Sequence, residues 1–284
     1  MGPGRLVCFV VFTLYNLLSC AEHEKFIELS GTVEVVEVNV ASEVPGKIEK
    51  INFNEGDRVK KDDILILLER EKYQLQYEQA TGQLNALEKN LESLKLNYAN
   101  AEKNFERIKR LKEESAIDEA QYDLIKTQRD ALLKQIEATY AQISSVKATV
   151  GLAKSQLDDT GIKSPIDGIV LHKLVEQGEV IGAGIPLMVI GDIDHPWVRT
   201  YIPQKYTGKI KYGDSVLVYS DSAPGKKFSG RIIYISSKEE FTPKNLVTRD
   251  ERTKMVYAIK VAVDNSNQEF KPGQYVDVRI QIHE

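Results

Sequence analysis

The sequence predicts a multidomain α+β protein, with a small β-sandwich split into two half-motifs, a long antiparallel α-helical hairpin inserted between them, and a small β-barrel behind. Three observations carry that expectation. Two stretches more than a hundred residues apart repeat one another in register, the chain between them has a coiled-coil period, and the last third changes to short alternating runs separated by turn residues.

Gly46, Gly56 and Leu65 recur as Gly168, Gly178 and Leu187, each displaced by 122 positions (168 − 46), and Ile48 and Val59 recur as Val170 and Ile181. Each copy reads as a strand, a tight turn and an apolar strand. The turns are Asn54-Glu55-Gly56-Asp57 and Glu176-Gln177-Gly178-Glu179, with glycine where a positive φ is needed. Neither half is long enough to bury its own apolar face, so the two are expected to close on each other. Whatever lies between is then held out as an arm.

Residues 71–158 contain no Pro and only Gly82 and Gly151, while Leu, Ala, Glu, Lys, Gln and Asn dominate. Tyr77, Ala80, Leu84, Leu87, Leu91, Leu94, Tyr98, Ala101, Phe105 and Ile108 alternate steps of three and four, the period of a coiled-coil seam. Ile125, Leu132, Ile136, Ile143, Val146, Val150, Ala153 and Leu157 form the returning seam, interrupted by the polar Arg129 and Thr139. Two helices of about 40 residues at 1.5 Å rise give a hairpin roughly 60 Å long. The reversal falls near residues 114–117, and Asp118 with Gln121 three positions on approximates a capping box for the second helix. A hairpin this long adds little to the stability of the small module that carries it. Its length implies reach.

At 284 residues and 42% hydrophobic the chain can hold several small domains. A net charge of −4 and the lack of a basic cluster argue against nucleic acid as a partner. Arg5 gives the N-terminus a positive start, residues 6–18 form an apolar run too short to span a bilayer, and Leu17-Leu18-Ser19-Cys20 closes it. This resembles a bacterial lipoprotein signal cleaved before Cys20. Cys8 leaves with the signal, so the mature chain keeps one cysteine, and lipidation of Cys20 accounts for a thiol with no internal partner.

From Pro196 the sequence turns to β-like runs at 197–202, 215–219, 231–235, 256–263 and 275–282, which suggests a small barrel, with one short helix expected within 203–212. His23, His172, His195 and His283 are scattered, and no metal-ligand spacing, phosphate-binding loop or nucleophile elbow occurs. No catalytic residue, metal or cofactor is expected. Asp192-Ile193-Asp194-His195 reads as a solvated linker between module and barrel.

The layout, together with Val44-Pro45-Gly46-Lys47-Ile48, Glu55-Gly56-Asp57-Arg58-Val59, Ile162-Lys163-Ser164-Pro165-Ile166-Asp167-Gly168-Ile169-Val170 and Phe270-Lys271-Pro272-Gly273-Gln274-Tyr275-Val276, resembles the periplasmic adaptor, or membrane fusion protein, family of HlyD-like secretion and efflux proteins. Phe241-Thr242-Pro243-Lys244-Asn245 and Thr248-Arg249-Asp250-Glu251-Arg252 resemble the branch that often serves ABC-type exporters. The resemblance fits the division read from the residues, namely a signal peptide at 1–19, a linker and first strand at 20–40, half-motifs at 41–70 and 159–195, the hairpin at 71–158 and the barrel at 196–284, and it implies that the half-motifs are lipoyl-like. It also implies a homo-oligomer, generally a hexamer, that joins an inner-membrane transporter to an outer-membrane channel in the periplasm of a Gram-negative bacterium. The family's tip motif maps to Arg107, Leu111 and Asp118, with aspartate standing where the family has serine.

Two other functions have sequence support. A lipoate or biotin carrier shares the half-motif pattern, but the apex where its modified lysine would stand is replaced by the coiled coil, and Lys72 falls at a helix start. A structural lipoprotein spacer without a transporter is permitted by the arm and the anchor alone.

Overall fold

The computed structural model describes residues 26–114, 116–238, 240–241, 255–265 and 267–282. The signal segment, His23, the Cys20 lipidation site, the 242–252 segment and His283 lie outside the described residues. The chain divides into two compact units, one of residues 38–190 and one of residues before 38 and after 190.

The first unit contains both half-motifs and the hairpin. Its strands are β2 (Gly46–Ile51), β3 (Arg58–Val59), β4 (Ile64–Leu68), β5 (Gly161–Lys163), β6 (Gly168–Lys173) and β7 (Val180–Ile181), joined by the ends of β1 (Phe26–Ala41) and β8 (Pro186–Pro203). The halves pair with each other by an approximate two-fold operation. Gly46 stands opposite Ile181 and Lys47 opposite Val180, while Gly168 stands opposite Val59 and Ile169 opposite Arg58. Backbone bonds follow the same rule: Ile48 N donates to Glu179 O at 2.8 Å and Val170 N to Asp57 O at 3.0 Å, while Asn52 N reaches Leu65 O and Leu174 N reaches Leu187 O, both at 2.9 Å. Gly56 and Gly178 take φ of 90° and 92° in the two tight turns. One core results, with Val44, Ile48, Val59 and Leu65 from the first half packed with Val170, Val175, Ile181 and Leu187 from the second. Burial of this shared apolar surface, at roughly 25 cal/mol per Å², holds the two distant segments together.

The hairpin is α1 (Glu71–Glu113) and α2 (Glu119–Asp158), of 43 and 40 residues. Every expected seam position is buried or half-buried, including the polar Arg129 and Thr139. Thr139 is accommodated by donating its hydroxyl to Gln135 O at 2.8 Å. From the two helices the sandwich core takes Tyr73, Tyr77 and Leu157, all at the root.

The second unit is a closed barrel. β8 pairs with β12 (Met255–Val263), which pairs with β10 (Phe228–Ile235), then β9 (Ser215–Ser220), β13 (Tyr275–Gln281), β1 and again β8, while β11 (Glu240–Phe241) pairs with the first residues of β12, Glu240 opposite Val256. Its core is apolar, including Val33, Val198, Ile202, Val216, Ile232 and Ile259. Gly31 is required where β1 meets β8, because a Cβ there would stand 2.6 Å from a Val198 methyl. Three features depart from the sequence reading. The first strand, β1, is a barrel strand through its pairing with β13, so the barrel takes in chain far ahead of residue 196. Asp192 to His195 are not a linker but lie within β8, where His195 Nδ1 meets the Asp192 carboxylate at 3.0 Å. The short helix is a 3-10 segment, Gln204–Lys209, with Tyr206 packed on the barrel core.

Candidate docking end of the hairpin

The far end of the hairpin is built by the last turns of α1 and the first of α2. Glu114 N donates to Arg110 O at 3.1 Å and Ala116 N to Leu111 O at 2.8 Å, which satisfies two of the carbonyls a helix end leaves open. The chain then reverses, and Asp118 takes an extended conformation (φ −74°, ψ 148°) as the residue that starts α2. Its side chain makes no capping bond, so the capping box expected from Asp118 and Gln121 is absent even though the helix starts there. The position is set by the reversal itself and by Tyr122 N bonding to Asp118 O at 3.3 Å.

Arg107, Leu111 and Asp118 therefore share this end. Arg107 and Leu111, four apart on α1, lie on neighbouring turns of one face. Arg107 is exposed and its guanidinium donates to Asn104 Oδ1 at 2.7 Å. Leu111 is half-buried and Asp118 exposed. The three thus offer a cation, an apolar surface and a carboxylate.

The end is stiffened by contacts among seam residues and Tyr122, Lys112 and Glu119, which the sequence reading left outside the seam. Phe105 on α1 and Tyr122 on α2 pack with ring centroids 5.5 Å apart. Lys112 Nζ lies 4.1 Å from the Tyr122 ring centre and 3.1 Å from Glu119 Oε1, tying the end of α1 to the start of α2. Behind them Arg129 stacks 4.1 Å over Phe105, bonds Asp130 at 2.6 Å and faces Glu102 at 3.6 Å. Asp130, followed by Glu102, raises the Arg129 pKa, and hydrogen bonding to Glu102 raises that of Tyr98. Tyr122 was legible: it stands three residues before Ile125, where the returning seam extends by one step. At the root, Tyr73 donates its hydroxyl to Pro45 O at 2.6 Å and Lys47 pairs with Glu69 at 2.7 Å. Lys72 lies in the first turn of α1 rather than at the apex of a hairpin between strands.

The family profile described as the RND MFP barrel-sandwich hybrid domain matches residues 36–191, more than half of the chain. The chain belongs to the membrane fusion protein family. A second profile, the YknX-like β-barrel domain, matches residues 199–280 of this membrane fusion protein. Among related sequences, a UPF0194 membrane protein from the asrC 5' region of Acidithiobacillus ferridurans is 27% identical, the match covering 91% of this chain and 88% of that one. The UPF0194 membrane protein YbhG of Salmonella newport is 26% identical over 89% and 88% of the two chains. Among solved structures, MacA from Actinobacillus actinomycetemcomitans superposes with a TM-score of 0.80 at 21% identity, covering 92% of this chain and 79% of that one. A MacA–MexA chimeric protein carrying the Pseudomonas aeruginosa MexA α-hairpin domain gives 0.62 at 23% identity, covering 92% and 82%. At these identities the superpositions speak for the fold. No helix among the described residues is long and apolar enough to cross a membrane.

Proposed function

We propose that this membrane fusion protein is the periplasmic adaptor of a tripartite efflux or secretion system, a non-enzymatic homo-oligomer that couples an inner-membrane transporter to an outer-membrane channel through the end of its hairpin. The observation that carries this reading is the disproportion of the arm. Two helices of 43 and 40 residues contribute Tyr73, Tyr77 and Leu157 to the core of the sandwich that holds them, and the rest of each seam serves the hairpin itself. An element that stabilises its carrier so little is explained by what its far end meets.

In this reading Leu111 supplies the apolar contact to the channel, Arg107 the charged one, and Asp118 a carboxylate beside them. Cys20 carries the lipid that tethers the chain to a membrane facing the periplasm. The transporter is ABC-type on the strength of the 241–252 sequence. A second reading, in which the transporter is of the RND type, has its own observation, since the profile matching residues 36–191 is described for RND membrane fusion proteins. The carrier alternative loses its basis with Lys72 inside α1.

A photo-crosslinking residue at Leu111 tests the docking end in cells. It is expected to capture an outer-membrane protein, and Arg107→Glu combined with a crosslinker at Leu111 should lower the yield while the helical content is unchanged. Capture of nothing, or an undiminished yield, removes the assignment. Replacing Cys20 by Ala should end fatty-acyl labelling of the protein, and labelling that persists contradicts a lipid on that residue.

A further inference from the structure

Fixing the seam fixes the columns that flank it. On α1 the residues just before Tyr77, Leu84, Leu91, Tyr98 and Phe105 are Gln76, Gln83, Asn90, Asn97 and Asn104. On α2 the residues preceding every second seam position, counted from Tyr122, are Gln at 121, 128, 135, 142 and 156, with Thr at 149. The two columns open on one side of the hairpin: near the root, Gln76, Gln79 and Gln83 share a groove with Thr149, Leu152 and Gln156. In an antiparallel pair these positions flank each other along the whole length. The opposite flank is charged, with Glu88 paired to Lys147 at 3.5 Å and Lys95 stacked 5.1 Å over the Tyr140 ring centre.

Helix formation does not account for the neutral column, because Lys and Glu serve an exposed helix as well as Gln and better than Asn. Rotational symmetry does. A ring of identical copies places each residue of the inward face at one height around a common axis. A charge there becomes a circle of like charges that repel across a confined space. A carboxamide donates and accepts at once, so identical amides are compatible with each other and with water.

Resting on the adaptor reading above, we propose that the carboxamide face lines the central path of the assembled ring and the charged face turns outward. From the root to Asn97, short of the Arg107 guanidinium on Asn104, cargo then meets a wet, hydrogen-bonding wall without fixed charge, one that does not sort molecules by the sign of their charge.

The full lipidated chain, assembled and purified, carries the test. Single cysteines replace Asn97 on one face and Lys95 on the other, and each variant is reacted with a small maleimide and with a bulky polyethylene-glycol maleimide. The proposal expects Asn97→Cys to accept the small reagent and to react with the bulky one at least an order of magnitude more slowly than Lys95→Cys, the difference vanishing when the oligomer is dissociated. Equal rates in the ring, or protection of Lys95→Cys instead, overturn it. A second arm uses charge: Asn97→Asp with Gln135→Glu should dissociate the oligomer at neutral pH and let it reform on acidification, Asn97→Lys with Gln135→Lys should dissociate it too, and Asn97→Gln should leave it intact. Rings unaffected by either charged pair also overturn the proposal. A wild-type chain that stays monomeric with or without its transporter removes the adaptor reading, and this inference with it, whereas rings whose Asn97 is freely exposed remove this inference alone.

Discussion

Ser42 and Ser164 perform one task at two ends of the sandwich. Each is buried and donates its hydroxyl to a backbone carbonyl two residues on, Ser42 to Val44 O at 2.5 Å and Ser164 to Ile166 O at 2.7 Å. Each also pairs its backbone across the two-fold, Ser42 with Ile185 O and Gly184 N, Ser164 with Asp63 O and Asp62 N. Replacing either by alanine leaves a buried carbonyl without its donor, so Ser42→Ala and Ser164→Ala should each lower stability by about 1 kcal/mol in denaturant unfolding. Losses well below that value would mean that water takes the hydroxyl's place. The pair keeps the offset of the repeated glycines, yet an alignment on Gly, Leu and Ile gives a small polar residue no weight. Its role emerges only when the neighbouring backbone partners are known. At the docking end the same limit applies to Asp118: helix start and residue type were readable, while the missing side-chain bond depends on the path of the reversal.

Among elements, the hairpin is the one whose sequence came nearest to a structure. Steps of three and four leave a helix pair one way to bury its apolar residues, and the seam that results includes Arg129 and Thr139. Arg129 is 20% exposed and holds Asp130 and Glu102, the latter with a buried Oε2 that has no hydrogen-bond partner. Arg129→Leu alone should therefore destabilise the hairpin by about 1–3 kcal/mol, because a half-buried carboxylate loses its cation, whereas Arg129→Leu with Glu102→Leu should recover most of that loss. A double variant no more stable than the single one would contradict this account of the seam. Tyr98 gives a pH dependence with a defined sign. Hydrogen bonding to Glu102, then burial, raises its pKa above 10.0 in the folded hairpin, so its contribution is complete below the unfolded value and is lost as pH rises through the folded one. The melting-temperature gap between wild type and Tyr98→Phe should shrink from about pH 9 to about pH 11. A gap that widens would reverse the assignment.

At the scale of the whole molecule, the order of segments along the chain differs from their grouping into the two units. The first strand closes a barrel formed mainly by the last third of the chain, and nothing in its alternation marks β13 as its partner, since pairing across more than 200 residues leaves no local signature. The sandwich was readable for the opposite reason: a repeat prints its own partner, because Gly46 with Ile181 implies Gly168 with Val59. That closure of two distant segments around the root of the arm is the claim on which the proposed docking end and the proposed transport path depend. Cysteines at Lys47 and Val180, which face each other on β2 and β7, test it most directly. In the full chain under mild oxidation the account predicts a disulfide within one chain, read as a mobility shift and by peptide mass, with cooperative unfolding retained. Free thiols that persist under oxidation, or a bond found only between separate chains, would contradict it.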